Sequence, residues 1–348
     1  MRVSEVVAVA TEWVESYAAR NPEFRGAHFM GGITRMSRDA PFPPESDVDI
    51  CVLVHNESPG QDPIDEFYRG LSIEAGLRSV AEYASAEKVL ANPEVADHVA
   101  LNAIIADPTG VLASIQPTVA REFAHQRWVV ARCDVEKRRF QMYLDAAGRT
   151  QDPGEFMIHV TLAIQNLAAL VAVALLRPPT HRKCLVNLRV QLKGLNHSEL
   201  SERALAVYGD SDMSADTVQM YADMAADAFD RALQVKRTAS PFDFKLRPHL
   251  RPYLVDGSQV MIDQGDHREA MPWIGAGIWI SAAAILNDAP ENEHPRYRQL
   301  LGDLLEDLGL ASAESRAERL RELVELGNAL FEVADEVVAS RPDSLVTA

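Results

Sequence analysis

The sequence predicts an α+β protein: an N-terminal domain with a small mixed sheet, then a C-terminal α-helical bundle. Three observations lead there. Short segments near Ala27–Met30, Ile50–Val54 and Leu71–Leu77 have the composition or two-residue alternation of β-strands. From about Asp107 the apolar residues change to helical spacing and keep it to the C-terminus. Within that region Gly154–Leu176 is apolar on all sides, as a helix in the middle of a bundle must be.

Taken in order, residues 4–20 (SEVVAVATEWVESYAAR) read as an amphipathic helix. Val6, Val9, Trp13 and Tyr17 fall near helical spacing, with Glu5, Glu12 and Glu15 between them. Asn21-Pro22 ends it. Ala27–Met30 is the first strand, and Ile33–Met36 starts a short helix after a glycine pair. Ala40–Glu45 is a rigid loop with three prolines. His55–Asp65 is polar and turn-like. Along Tyr68–Leu77, Leu71, Ile73, Ala75 and Leu77 share one face, and Ser72, Glu74 and Gly76 the other. An apolar run, Val99–Ala106, lies between Asp97 and Asp107, and Asp107-Pro108-Thr109-Gly110 is a turn by its own chemistry. Helices are expected at Val111–Gln126, Trp128–Leu144, Gly154–Leu176, from His181, at Ser198–Val207, Ala215–Lys236, Ala270–Leu286, Arg296–Gly309 and Ala313–Ala339.

The stretch that concentrates chemistry is Phe29–Val54. It opens on Gly31-Gly32 and closes on Asp47-Val48-Asp49 entering Ile50-Cys51-Val52-Leu53-Val54. On a strand Asp47 and Asp49 point the same way, while Val48 and Ile50 point into a core. Two carboxylates side by side repel unless something positive lies between them. Mg²⁺ is the usual answer, bound through one or two carboxylates plus substrate phosphates. Glycines let backbone approach a ligand closely, and backbone N–H groups in such turns hold phosphate oxygens.

This arrangement resembles the DNA polymerase β-like nucleotidyltransferase superfamily, and especially the branch that adenylylates small molecules such as kanamycin and lincosamide antibiotics. The family pattern is an apolar segment, Gly-Gly or Gly-Ser, a gap, and Asp-x-Asp in an apolar strand, with a third acid on a neighbouring strand. Gly31-Gly32 and Ser46-Asp47-Val48-Asp49-Ile50 match the first parts, at a long spacing of 15 positions. Gly32 replaces the Ser of many members, so Thr34 and Ser37 are candidates for the missing hydroxyl. Glu74 is the nominee for the third acid, with Asp97 and Asp107 as competitors. DPTGVL and the segment WVVARC at residues 128–133 also resemble a group of actinobacterial nucleotidyltransferase-like proteins.

The resemblance implies a catalytic and metal-binding set of Asp47, Asp49 and Glu74 around a two-metal Mg²⁺ site, with a nucleoside triphosphate, ATP first, as donor. It implies nucleotide binding by Gly31, Gly32, Thr34, Arg35 and Ser37; Arg38 is a further phosphate-binding candidate. Basic residues on the helical domain, Arg182 and Lys183, are expected to meet the triphosphate. Residues 1–115 become the nucleotidyltransferase domain and residues 116–348 the helical acceptor-binding domain. The loop Ser240–Gly257 is a candidate acceptor lining or dimer contact, and His159 a weaker candidate for facing the acceptor.

Composition narrows the acceptor. With 34 Lys and Arg against 51 Asp and Glu, the net charge is −17, which gives no overall attraction to a polyanion. A small-molecule acceptor is therefore favoured over nucleic acid. The acids Asp216, Asp223, Asp227 and Asp230 form a solvated helix face or a contribution to a cationic acceptor. Cys51, Cys133 and Cys184 lack metal spacing, and Cys51 and Cys184 sit in apolar runs as buried thiols. No charged-then-apolar leader and no 18-residue apolar span are evident; Leu167–Leu176 is too short to cross a bilayer. The expectation is a cytoplasmic protein with no membrane partner and a possible homodimer. The alternatives are an enzyme that modifies a partner protein, as in toxin–antitoxin pairs, and a catalytically degenerate nucleotide-binding regulator.

Overall fold

The computed structural model describes residues 1–55, 63–240 and 242–341. Most of the turn-like stretch expected at 55–65, and Pro241 of the loop expected at 240–257, lie outside the described residues. The chain is α+β, with one five-stranded mixed sheet and a large number of helices. It groups into two compact units. The first holds Met1–Val135, Val173–Pro179 and the described residues from Asp335 onward; the second holds Glu136–Ala172 and Thr180–Ala334.

The first unit starts with helix α1 (Val3–Arg20). Strands β1 (Phe24–Phe29), β2 (Val48–Val54), β3 (Ile64–Tyr68), β4 (Leu71–Ser79) and β5 (Ile104–Ala106) form the sheet in the order β3-β4-β2-β1-β5. β2 and β4 run parallel, and the other pairs are antiparallel. α2 (Ala86–Leu90), α3 (Ala96–Ala100) and α4 (Val111–Glu122) follow, then α5 (Gln126–Arg149), within which the unit boundary falls.

β2 has a core on each of its faces, which explains its unbroken apolar run. Val48, Ile50, Val52 and Val54 pack with Val6, Ala10, Trp13 and Val14 of α1. Cys51 and Leu53 face the other way, among Val89, Leu90, Val99, Leu112 and Ile115 from α2 to α4. On β4, Leu71, Ile73 and Ala75 join the α1 side with Leu77 at its margin, as their alternation requires. The strand β3 was not legible as one. It lies at the sheet edge, none of its residues is fully buried, and it docks on α1 through polar contacts. The buried Trp13 donates its Nε1–H to Glu66 at 2.9 Å, and the Tyr68 hydroxyl donates to Glu12 at 3.0 Å.

The second unit is helical. It includes most of α6 (Pro153–Ala174), then α7 (Cys184–Gly194), α8 (Ser198–Tyr208), α9 (Ala215–Val235), α10 (Gly257–Asp263), α11 (His267–Asp288), α12 (His294–Asp307) and most of α13 (Ala313–Ala339). Small residues let these helices approach closely. A side chain at Gly275 of α11 would meet the Tyr208 hydroxyl of α8 at 2.5 Å. Between α9 and α10 the backbone forms short tight turns, Asp243–Lys245 and Pro248–Leu250, and a widened turn, Pro252–Asp256. The acidic face of α9 is partly neutralised. Asp230 accepts from Arg251 at 2.9 Å, and Asp227 from Arg296 at 2.9 Å.

One expectation needs correction. α6 and α11 are both long and apolar enough to cross a bilayer, because an average over a window tolerates scattered polar residues such as Thr161 and Gln165. In the fold 72% of the α6 window and 67% of the α11 window are buried, which is the burial of core helices.

Asp210, just after Gly209 at the end of α8, is fully buried with no hydrogen-bond partner for either carboxylate oxygen among the described residues. Burial pushes its carboxyl well above the usual carboxylate range. The folded state then holds the proton more tightly than the unfolded chain. This contribution to stability is present in acid and is lost as pH rises from about 4, the ordinary carboxylate value, through the raised one. The loss approaches about 1.4 kcal/mol per pH unit. Asp210→Asn is expected to remove it, so that in urea denaturation from acid to alkaline pH the variant gains on the wild type as pH rises. Parallel curves would disprove the assignment.

Candidate functional site

The glycine turn follows β1 directly. The Met30 N–H donates to the Asp49 carbonyl at 2.9 Å, which fixes the chain leaving β1 against the start of β2. Gly31 then adopts φ 64°, ψ −158°, a region essentially restricted to glycine. A Cβ there would collide with Oδ2 of Asp49, so the turn packs its bare backbone against that carboxylate. Gly32 opens a single 3₁₀ turn, Gly32–Arg35, in place of the short helix expected from Ile33. The Thr34 hydroxyl donates to the Gly31 carbonyl at 2.8 Å and so braces the turn. A Cβ on Gly32 would meet nothing within 4 Å.

Asp49 is the second residue of β2 and half-buried, and Asp47 lies immediately before the strand. Asp49 and Cys51 share a face, opposite Val48 and Ile50. In the parallel ladder Asp49 is in register with Glu74, so the two acids sit side by side on neighbouring strands, about 4.8 Å apart in backbone spacing. Glu74 is also in register with Asp65 of β3. Asp65 was not singled out from the sequence. Its signal was the acid pair in Ile64-Asp65-Glu66-Phe67-Tyr68, which reads as a polar surface until the strand is seen.

Asp97, a competitor for the third acid, has another occupation. It is buried on α3 and accepts an ion-paired hydrogen bond from the Arg35 guanidinium at the end of the glycine turn. Its other oxygen lies 3.8 Å from Nδ1 of the buried His98. His98 stacks on the fully buried His28 of β1, with ring centroids 6.4 Å apart. Nε2 of His28 is 2.8 Å from the Tyr83 hydroxyl, which in turn stands 3.2 Å from the Cys51 sulfur. Burial holds His28 down to about 3, and burial followed by the Arg35 charge holds His98 down to about 4. Both rings are therefore neutral at physiological pH. Asp107 accepts from the Ala113 N–H at 2.7 Å and so caps the start of α4.

The remaining nominees are placed as follows. Ser37 and Arg38 are exposed, and the Arg38 carbonyl accepts from Ser4 N–H at 2.9 Å, tying that loop to the start of α1. Arg182 belongs to the second unit. There its guanidinium donates to the Tyr253 carbonyl at 2.7 Å, lies 5.2 Å from the Tyr253 ring centroid and covers Gly257. Lys183 is half-buried at the start of α7. His159 of α6 stacks on Tyr143 at 6.4 Å.

Among the described residues no group of three or more His, Cys, Asp and Glu side chains stands ready to hold a metal ion. Asp49 and Glu74 supply hard oxygen donors one strand apart, with Asp47 beside them. That donor set fits an ion that one or two carboxylates hold and substrate phosphates complete.

No protein-family model matches the sequence, and no curated protein matches it. Among solved structures there is a similarity to a nucleotidyltransferase-like protein from Exiguobacterium sibiricum 255-15. It spans 85% of this chain and 89% of that one, at 15% sequence identity and a TM-score of 0.29. At that TM-score the superposition is too loose to transfer residue roles.

The two glycines are expected to respond differently to alanine. Gly31→Ala meets both the backbone restriction and the Asp49 carboxylate and is expected to destabilise by roughly 1–3 kcal/mol. Gly32→Ala, facing open space, is expected to change stability by less than about 1 kcal/mol. Equal effects in urea denaturation would contradict the packing of Gly31 on Asp49.

Proposed function

We propose that this protein is a metal-dependent nucleotidyltransferase that moves a nucleoside monophosphate, AMP from ATP first, onto a hydroxyl of a small molecule. The observation that carries the reading is the packing of the Gly31 turn against Asp49 while Asp49 stands in register with Glu74. Sterically bare backbone beside adjacent hard anions suits a cation-bearing polyphosphate, because backbone can approach the phosphates and carboxylates the cation.

In this reading Asp47, Asp49 and Glu74 would hold Mg²⁺, which when bound would supply charge neutralisation to the triphosphate. Gly31 and Gly32 leave room for phosphate oxygens. Thr34 contributes by bracing the turn, since its hydroxyl is engaged with the Gly31 carbonyl. Arg35 offers donors at the turn's end. The acceptor oxygen forms a bond to the α-phosphorus, the bond to the bridging oxygen breaks, and pyrophosphate leaves. The hydroxyl proton passes to a carboxylate of the group, Glu74 first. Residues 1–115 take the donor and residues 116–348 the acceptor, for which an aminoglycoside- or lincosamide-like antibiotic is the first class to screen. Arg182 and Lys183 remain candidates for the triphosphate.

The second reading is a nucleotide-binding protein without transfer activity. It is favoured by the lack, among the described residues, of a preassembled group of three metal ligands.

A thermal-shift series with ATP, CTP, GTP and UTP, each with and without Mg²⁺, tests the proposal on wild type and Asp49→Asn. At about 100 times its dissociation constant a ligand stabilises by roughly 2.7 kcal/mol, enough to raise the melting point by several degrees. A Mg²⁺-dependent rise for one nucleotide, lost in Asp49→Asn, is expected. Product formed from that nucleotide with an added acceptor separates the first reading from the second, and no rise with any nucleotide sinks both.

A further inference from the structure

Arg35 stands where the glycine turn ends, three residues from Gly32 and within the reach of one 3₁₀ turn from the Asp49 carboxylate. Asp49 and Glu74 stand in register at that end of β2, and Asp47 lies immediately before the strand. A mobile guanidinium there would be drawn onto them and would occupy the place of a cation. The ion pair with Asp97 points it elsewhere. Asp97 comes from α3, and its side chain is only 7% exposed, whereas that of Arg35 is 35% exposed. Water competes weakly for a charge pair whose acid is dry, so the buried carboxylate outbids half-buried ones. Among the described residues the Asp97 contact is the only side-chain hydrogen bond of Arg35. A guanidinium carries five N–H donors, and this one is partly exposed.

We propose that Asp97 is a positioning residue. It holds Arg35 off the Asp47–Asp49–Glu74 group and presents the remaining guanidinium donors to the phosphates of a metal-bound nucleoside triphosphate. The inference rests on the nucleotide-binding reading above and adds to it a role for a residue outside the carboxylate row. The second oxygen of Asp97 lies toward His98 inside the fold, so the acid itself touches no ligand. Its action passes through Arg35 alone.

The test is a double-mutant cycle on the full chain, with MgATP affinity measured by calorimetry. CTP, GTP or UTP replaces ATP if the wild type prefers it. Arg35→Ala removes a surface-accessible group and is expected to fold. It should weaken MgATP binding about tenfold, the scale of one charge-assisted contact. Asp97→Asn should weaken it at least as much. Arg35→Ala/Asp97→Asn should bind like Arg35→Ala or better, because no guanidinium is left to fall onto the carboxylates. Asp97→Glu should recover part of the affinity. A merely structural Asp97 gives additive losses and no such recovery, and that result overturns the proposal. So does MgATP binding that both single variants leave unchanged while the wild type binds. A wild type that binds no Mg²⁺-nucleotide overturns the nucleotide-binding reading and this inference with it.

Discussion

The parallel register between β2 and β4 is the constraint on which the rest of the first unit depends. It sets Val48 against Ile73 and Ile50 against Ala75 in one core, and by the same alternation sets Asp49 against Glu74 on the other face. A slip of one residue would turn the acids toward the α1 core and turn Val48 and Ile50 away from it, so the packing that fixes the core also fixes the carboxylate pair. The two charges are held close by the burial of their neighbours. That is how a folded chain maintains an arrangement that electrostatics alone would disperse.

Beside that pair the backbone of the glycine turn packs directly on Asp49. The Met30–Asp49 hydrogen bond brings the chain so near β2 that only a glycine fits at position 31. The polar groups behind it, from Arg35 through Asp97, His98, His28 and Tyr83 to Cys51, line the same side of the sheet as Asp49. Hydrogen bonds join Arg35 to Asp97 and His28 to Tyr83, and the His98 ring stacks on His28 between them, inside a region otherwise filled by α2 to α4. Networks of this kind specify one arrangement strongly, because each member left alone in a low-dielectric interior is unfavourable.

Much of this was legible in the sequence, for reasons that differ by residue. Alternation in Leu71–Leu77 placed Glu74 on the face away from the α1 core, and the apolar run after Asp49 marked a strand with two covered faces. Helical spacing located most helices of the second unit. The strand β3 was hidden because an edge strand with polar docking lacks the burial that leaves a periodic signature. The partnership of Arg35 with Asp97 joins residues 62 apart in the chain through a helix of five residues, and no local pattern encodes a contact of that kind. Asp97 was visible only as an acid beside an apolar run. The three ligands expected of a metal centre were named from the resemblance of the motif to a family pattern, but order along a chain does not fix the directions of side-chain oxygens.

The burial of every cysteine has a practical consequence. Cys51, Cys133 and Cys184 are all free thiols with little or no exposure. A thiolate reacts only when a reagent can reach it, so alkylation of the native protein must wait for local opening. Cys51 and Cys133 belong to the first unit and Cys184 to the second. The chain thus carries built-in clocks for each unit. The rate at which Cys51 is labelled times the opening of the strand that bears Asp49, and the rate at Cys184 times the opening of the helical unit where α7 begins.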